Sequence, residues 1–326
     1  MTVLVTGGAG YIGSHTVRAL RAAGHDVVVL DTLELGREDA LLGAPLVVGD
    51  IRDAELVERL CTEHRVTAIV HFAAYKSVGE SMQSPGKYWQ NNVAGTAALV
   101  DAALRAGVGD IVFSSSCSVY GTPAQVPVAE SAPIQPESVY AESKAMVERI
   151  LRWYGTTKGL RSVSLRYFNA AGASSDGVIG EDWNFSINLI PLVMKAVLGA
   201  GPPVKVFGND YPTPDGTAIR DYIHVEDLAD AHVKAVELLA RGLPDGATSL
   251  AVNLGTGVGS SVLEVIAATA RVAGRDVPYE IVGRRPGDPS VTYADPTYAE
   301  AVLGWRARHD LDSIVTSAYR WHAKQL

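Results

Sequence analysis

The chain has 326 residues, 47% of them hydrophobic and 20% charged. That is the composition of an ordinary globular protein with a large core and room for about one to three domains. A formal net charge of −8, with no Lys/Arg block, argues against a nucleic-acid partner. The only cysteines, Cys61 and Cys117, make neither a disulfide framework nor a zinc site, so no metal is expected. With no cleavable leader and no apolar run of about 18 residues, the expectation is a soluble, cytoplasmic protein without membrane contact.

In chain order, "VLVTGGAGYIGSHTVRAL" comes first, from Val3. A short apolar run is followed by Gly7, Gly8, Gly10 and Gly13, too dense for a strand or helix interior, and then by a helical pattern. Further β-rich apolar runs are "HDVVVLD", "APLVVGD", "VTAIVHFAA", "GDIVFSSS" and "RSVSLRYFN". Helical patterns cover Ile12–Ala23, Ala54–His64, Lys87–Ala106 and Ser138–Thr157. Continuous apolar strands alternating with helices imply a parallel sheet covered on both faces. The expectation is a six-stranded, doubly wound, Rossmann-type α/β fold with ligands at the carboxyl ends of its strands. After Asn169 the texture changes: "AAGASSDGVIGEDWNF" is loop-like, "INLIPLVMKAVLG" helical, and "SLAVNLGTGVGSSVLEVIAATARVAG" returns to strand, glycine loop and helix. This predicts a first domain over 1–168 and a smaller α/β domain over 169–326, with some later segments crossing back to the first.

Gly8-x-Gly10-x-x-Gly13 follows a strand and opens a helix, the context in which this pattern brings backbone close to a pyrophosphate at a helix N-terminus. Asp31 ends the second strand 18 residues after Gly13, where an acid accepts from ribose hydroxyls and repels a 2′-phosphate. NAD is therefore expected over NADP. Asp50, ending the third strand, suits an adenine contact or a simple turn. In "SVYAESK", Tyr140 and Lys144 lie one helical turn apart on one face. An ammonium there is expected to lower the phenol's pKa toward general-base use. The strand end "FSSSCSVYG" adds hydroxyls at Ser114, Ser115, Ser116 and Ser118, one of which can hold the oxygen whose proton Tyr140 takes.

In this order, glycine loop, strand-end serine and Tyr-x-x-x-Lys resemble the extended short-chain dehydrogenase/reductase superfamily. The resemblance is closer to its UDP-glucose 4-epimerase family. It runs from residue 2 to about 322 through "HFAAYKSVGES", "NNVAGT", "YAESK", "LRYFNAAGA", "FGNDYPTPDGTAIRDYIHVEDLADAHV" and "RRPGD". It implies Ser116, Tyr140 and Lys144 as the catalytic set. It implies NAD contacts by Gly7, Gly10, Tyr11, Ile12, Gly13, Asp31, Asp50, Ile51, Phe72, Ala73, Ala74, Lys76, Asn91, Ser114, Tyr140, Lys144 and Tyr167, with Lys76 also near the substrate diphosphate. For the UDP-sugar it implies Phe168, Asn169, Asn188, Leu189, Phe207, Arg220, Tyr222, Arg285 and Asp288, together with Ser116 and Tyr140. Two arginines suit bidentate diphosphate recognition, whereas Phe207 fits a uracil contact or a core position equally.

The reaction implied is interconversion of UDP-glucose and UDP-galactose through a 4-keto sugar, in a homodimer built on the helices Lys87–Ala106 and Ser138–Thr157. A 4,6-dehydratase or decarboxylase is the alternative, but Cys117 and Ser118 follow Ser116 where a dehydratase would use an acid. Cys117, Thr32 and a short loop after Asp31 depart from the family pattern. The fourth residue after Asp288, which in the family faces the sugar C2 substituent, is Thr292 where strict relatives carry tyrosine. A wider pocket admitting N-acetylated sugars is expected, unless a one-residue slip places Tyr293 there.

Overall fold

The computed structural model describes residues 1–186, 188–285 and 287–326. The six anticipated strands form as β1 (Thr2–Thr6), β2 (Asp26–Asp31), β3 (Leu46–Val48), β4 (Ala68–His71), β5 (Asp110–Ser116) and β6 (Arg161–Tyr167). They lie in one parallel sheet with a seventh strand, Ser249–Leu254, in the order Ser249–Leu254, β6, β5, β4, β1, β2, β3. The seventh strand comes from the later part of the chain and pairs with β6 from Ser249↔Ser162 to Leu254↔Tyr167. It buries an edge that β6 alone would leave open.

Side chains alternate across each strand, and both faces are apolar. Val3, Val5 and Val29 join one core with Val17 and Leu20 of helix Tyr11–Ala22 and Leu228 and Val236 of helix Val225–Arg241. Leu4, Val28 and Ile69 join another with helices Ala54–Glu63, Thr96–Arg105 and Val139–Lys158. Strand order reverses between β1 and β4, and that switch point opens a crevice at the carboxyl ends where a ligand fits.

The helix expected over Lys87–Ala106 forms without interruption from Pro85 to Arg105, but its middle is wound differently. It consists of Pro85–Tyr88, a π-helical stretch Trp89–Gly95, and Thr96–Arg105. Side chains compete with the regular ladder there. The Asn92 amide brackets the Tyr75 backbone with two 3.0 Å bonds, and Thr96 Oγ1 donates to the Asn92 carbonyl at 2.6 Å while contacting His71 Nε2 at 2.8 Å. Such π-turns often mark functional sites, and this one holds Asn91 at the crevice.

Beyond Tyr167 the structure is built from small units. Asn169–Ala171 pairs with Tyr222–His224, Ser260–Ser261 and Val291–Thr292 flank Ile219–Arg220, and Tyr279–Val282 pairs with Val204–Phe207. They rest on a third core around helices Leu189–Val197, Val262–Ala273 and Leu311–Ala323. Among the described residues no helix is long and apolar enough to cross a membrane.

Candidate active site

The glycines are required sterically. Gly7 has φ +71°, and a Cβ on it would lie 2.5 Å from the Ala73 nitrogen; on Gly13 it would lie 2.3 Å from the Gly7 carbonyl. β1, the loop after β4 and helix Tyr11–Ala22 thus meet backbone to backbone. The helix N-cap, Gly10, makes no side-chain cap, and the first turn carries no acid, so its free N–H groups and positive dipole end suit an anion.

Asp31 is buried beside this loop. One carboxylate oxygen accepts from Ala9 N and the other from Leu33 N, both at 2.9 Å. Each oxygen keeps a lone-pair site for a ribose hydroxyl. The short loop after it folds back through Arg37 N, which donates to Ala9 O at 2.9 Å. The Arg37 guanidinium instead pairs with Asp39, at 2.5 Å, and with Asp182, at 3.8 Å. Anion-binding amides, a buried acid and an arginine already engaged by carboxylates fit NAD rather than its 2′-phosphorylated form.

A single crevice gathers all the positions expected at the cofactor: Gly7, Gly10, Tyr11, Ile12, Gly13, Asp31, Asp50, Ile51, Phe72, Ala73, Ala74, Lys76, Asn91, Ser114, Tyr140, Lys144 and Tyr167. Asp50 is engaged by Arg52, whose Nη2 donates to it at 2.6 Å, and this hydrogen bond holds its carboxyl below the usual range.

At the far end of the crevice, β5 delivers Ser114 and Ser116, and helix Val139–Lys158 delivers Tyr140 and Lys144. Ser138 caps that helix by accepting from Ala141 N, which fixes Tyr140 in its first turn. Lys144 is buried; its Nζ donates to the Ser114 carbonyl at 2.7 Å and sits 5.9 Å from the Tyr140 ring centroid. Ser114 Oγ meets Tyr167 Oη at 2.8 Å, and Ser116 Oγ accepts from Ser118 Oγ at 2.9 Å.

The expected lowering of the Tyr140 pKa is not what the protein groups produce. Burial pushes the phenol up, Tyr167 adds to the rise and Ser116 opposes it. Burial likewise pushes Lys144 down to about 7, against the pull of Glu148. Desolvation disfavours both charged forms together, and it outweighs the attraction that helix spacing alone suggested.

Of the positions expected at the UDP-sugar, Asn169, Phe207, Arg220 and Tyr222 lie on short strands, Asn188 and Leu189 at a helix start, and Phe168, Arg285 and Asp288 in the connections. Phe168 and Tyr222 are buried, and Asn169 Nδ2 donates to Asp221 O at 3.2 Å. Asn188 caps helix Leu189–Val197 without a side-chain cap bond, which places Leu189 at its first turn. Arg220 Nη1 donates to Ile219 O at 2.7 Å and its Nη2 pairs with Asp288. The Arg285 guanidinium stacks 3.7 Å above the Phe207 ring, so Phe207 is a platform rather than a core residue.

Thr292 pairs in register with Arg220, so the two side chains share a face, and its hydroxyl is buried without a hydrogen-bond partner. Tyr293 faces the other way, toward Gly259, where a Cβ would stand 3.4 Å from its ring.

Three acids escaped the sequence reading. Glu181 is buried in the crevice, 3.7 Å from Lys76, and accepts from Asn188 Nδ2 at 3.3 Å; nothing in its loop-like segment marks it. Asp221 is fully buried and accepts from Thr256, Gly257 and Ala294 amides, joining three separate segments. Glu148 stands one helical turn beyond Lys144, a spacing that was readable.

A family model described as "NAD dependent epimerase/dehydratase family" matches residues 3–255. A UDP-glucose 4-epimerase from Azospirillum brasilense is 50% identical over 321 residues, covering 98% of this chain and 91% of the relative. A crystal structure of a UDP-glucose-4-epimerase from Stenotrophomonas maltophila, with bound NAD and formylated UDP-arabinopyranose, superposes with a TM-score of 0.95 at 44% identity, covering 100% of this chain and 98% of that one. The UDP-Glc/GlcNAc 4-epimerase from Campylobacter jejuni is 38% identical, with a TM-score of 0.86 and 99% of both chains covered.

Proposed function

The chain belongs to the NAD dependent epimerase/dehydratase family and acts as an NAD-dependent 4-epimerase of UDP-glucose and UDP-galactose; we propose that Tyr140, Ser116 and Lys144 carry the chemistry. The observation that carries this reading is the single crevice joining the glycine loop and Asp31 to Tyr140 and Lys144, with Ser116 hydrogen-bonded to Tyr140.

In this reading, Gly7, Gly10 and Gly13 admit the cofactor pyrophosphate and Asp31 takes the adenosine ribose. When bound there, NAD would supply the hydride acceptor and donor. Tyr140 Oη receives the proton of sugar O4 and afterwards returns it. Ser116 Oγ holds O4 during both transfers. Lys144, anchored on the Ser114 carbonyl, supplies positive charge behind the phenol. Arg220 and Arg285 grip the diphosphate and Phe207 supports the base, so the 4-keto sugar can present its other face while UDP stays bound. Binding energy remote from the reacting ring then serves the chemical step without freezing that ring.

The dehydratase alternative is not favoured. Cys117 and Ser118 follow Ser116, and neither is the carboxylate that water elimination would use there. Purified protein incubated with UDP-galactose should yield UDP-glucose by chromatography and mass spectrometry, without NADH accumulating. Net NADH release, or a 4-keto-6-deoxy product, would refute the reading.

Three finer points belong to the same reading. Thr292, on the face of Arg220, leaves room at the sugar C2 position, which supports acceptance of N-acetylated UDP-sugars. The exposed Trp153 on helix Val139–Lys158, 65% accessible, supports a homodimer packed through that helix and the π-containing helix over Lys87–Ala106. Residues 1–168 act as the NAD-binding domain and 169–326 mainly as the substrate domain, in a cytoplasmic protein.

A further inference from the structure

Behind Lys144 lies a buried ionic network that the proton transfer described above does not use. Glu148 is four residues beyond Lys144 on helix Val139–Lys158, hence on the same face one turn away. Its Oε1 accepts from Ser115 Oγ at 2.6 Å and from Arg166 Nε at 2.9 Å, and its Oε2 accepts from Arg166 Nη2 at 2.5 Å. Arg166 Nη1 donates to Tyr120 Oη at 2.8 Å, and Tyr120 Oη donates to Asn253 Oδ1 at 2.7 Å. The pair is well shielded, with 8% and 12% of the arginine and glutamate side chains accessible.

Each contact leads to a residue adjoining the site. Ser115 sits between Ser114, whose carbonyl holds Lys144, and Ser116. Arg166 is the register partner of Ser115 and precedes Tyr167. Glu148 therefore ties together the helix carrying Tyr140 and Lys144, the strand carrying Ser114 and Ser116, and the strand carrying Tyr167. Apolar residues of similar volume often replace both members of such a buried pair at little cost, although removing one member alone is destabilising. Its place against three site-bearing elements points to a different use.

We propose that Glu148 is a positioning residue for epimerisation: clamped by Arg166 and Ser115, its carboxylate sets the helix against the strand ends and keeps the buried Lys144 ammonium charged. This rests on Tyr140 and Lys144 carrying the proton transfer. The titratable groups around Lys144 are few. His71 comes from β4, held by Thr6 and Thr96 at 2.7 and 2.8 Å, and is neutral, pushed down to about 3 mainly by burial. Tyr167 reaches it from β6 through Ser114, and Tyr140 and Glu148 share its helix. Glu148 is the acid among them that opposes burial of the Lys144 charge.

The sign follows directly. Removing the negative charge lowers the proton affinity of Lys144, so the ammonium is lost at lower pH. Glu148→Gln should bring the alkaline limb of the kcat profile down by about one pH unit, making the loss about tenfold above the shifted limb and small near pH 6. KM for UDP-galactose and cofactor content should hold. With lysine labelled at 13Cε, the Lys144 resonance should titrate at correspondingly lower pH. Glu148→Asp, which keeps the charge on a shorter arm, should restore the limb while kcat stays a few-fold down.

A pH-independent loss, or an unchanged Lys144 titration, overturns the proposal. If Glu148→Gln does not fold, Ser115→Ala cuts the strand tie alone; kcat should fall about threefold at constant KM, and an unchanged kcat is equally fatal. Tyr140→Phe run alongside separates the two ideas. Full activity there defeats the assignment of Tyr140, whereas its inactivity beside a flat Glu148 result defeats only the role of Glu148.

Discussion

The cofactor side and the UDP side of this molecule are built differently. On the first, the polar groups sit at strand ends of a seven-stranded sheet or on the helix Val139–Lys158 packed against it, and are held by buried partners. Lys144 rests on the Ser114 carbonyl, Ser114 on Tyr167, and Asp31 on two backbone amides. On the second, the groups ride on strands of two to four residues and on the loops and helix start between them. Their cations lie nearer the surface, paired with Asp288 or stacked on Phe207. Proton and hydride transfer demand reacting atoms fixed to a fraction of an ångström. Anchoring a diphosphate demands charge and donors but tolerates adjustment. The cofactor side should therefore govern kcat, and the UDP side KM.

The sharpest way to break that contrast is Tyr140→Phe. It removes only a buried hydroxyl, so the fold and bound NAD should persist while kcat falls about 10²–10⁴-fold, the usual worth of a general base. Stopped turnover with intact cofactor absorbance is the expected result. A variant that instead loses NAD would show that Tyr140 serves binding, and the division between the two sides would blur.

Next in size is Arg220→Lys on the UDP side. Lysine keeps the charge but not the planar fork that meets a diphosphate with two parallel bonds. Losing a charged hydrogen bond is worth about 1.5–3 kcal/mol, or about 10–150-fold. The loss should appear in KM for UDP-galactose and in calorimetric affinity for UDP, with kcat nearly preserved. A collapse of kcat at constant KM would place Arg220 in the chemistry.

The two sides were also unequally legible in the sequence. β1, β2, β4, β5 and β6 announced themselves because strands buried on both faces are continuous apolar runs, the edge strand β3 because its short run is apolar although largely unburied, and the glycine loop because backbone contact at Gly7 and Gly13 tolerates no Cβ. Strands as short as Ile219–Arg220 carry no periodicity, so the substrate side could be named only through resemblance. The π-helical turn at Trp89–Gly95 was hidden because Asn92 and Thr96 look like ordinary helix-surface residues until Tyr75 and His71 are brought to them. Glu181 and Asp221 were invisible for the same reason: their partners come from distant segments. The direction of the Tyr140 shift was missed because spacing reveals a nearby lysine but not the burial that outweighs it.

A smaller effect is expected at the adenosine end. Asp31→Asn keeps an acceptor but turns an N–H₂ toward one of the backbone amides now held by a carboxylate oxygen. NAD affinity should drop about tenfold, the scale of one weakened charge-assisted bond. The test is the NAD released on heat denaturation, together with titration of the stripped protein. Release of chiefly NADP from the unaltered enzyme would overturn the role given to Asp31.

The smallest change in the UDP-galactose reaction belongs to Thr292→Tyr, and it probes the UDP side by shape instead of charge. Thr292 shares a face with Arg220, and its hydroxyl has no partner to lose. The added ring should extend over the sugar without unpairing any group. Discrimination then arises from a clash with the C2 substituent, which excludes the larger substrate while leaving the smaller one's contacts intact. Unaltered enzyme should interconvert both UDP-glucose with UDP-galactose and UDP-N-acetylglucosamine with UDP-N-acetylgalactosamine. The variant should lose the N-acetyl reaction about 100-fold or more, while kcat/KM for UDP-galactose changes less than about threefold. Both substrate pairs, run on both proteins, decide it. If the unaltered enzyme ignores N-acetylated sugars while epimerising UDP-galactose, space at Thr292 does not set sugar range, and the limit must lie with a bulkier neighbour on the same short strands.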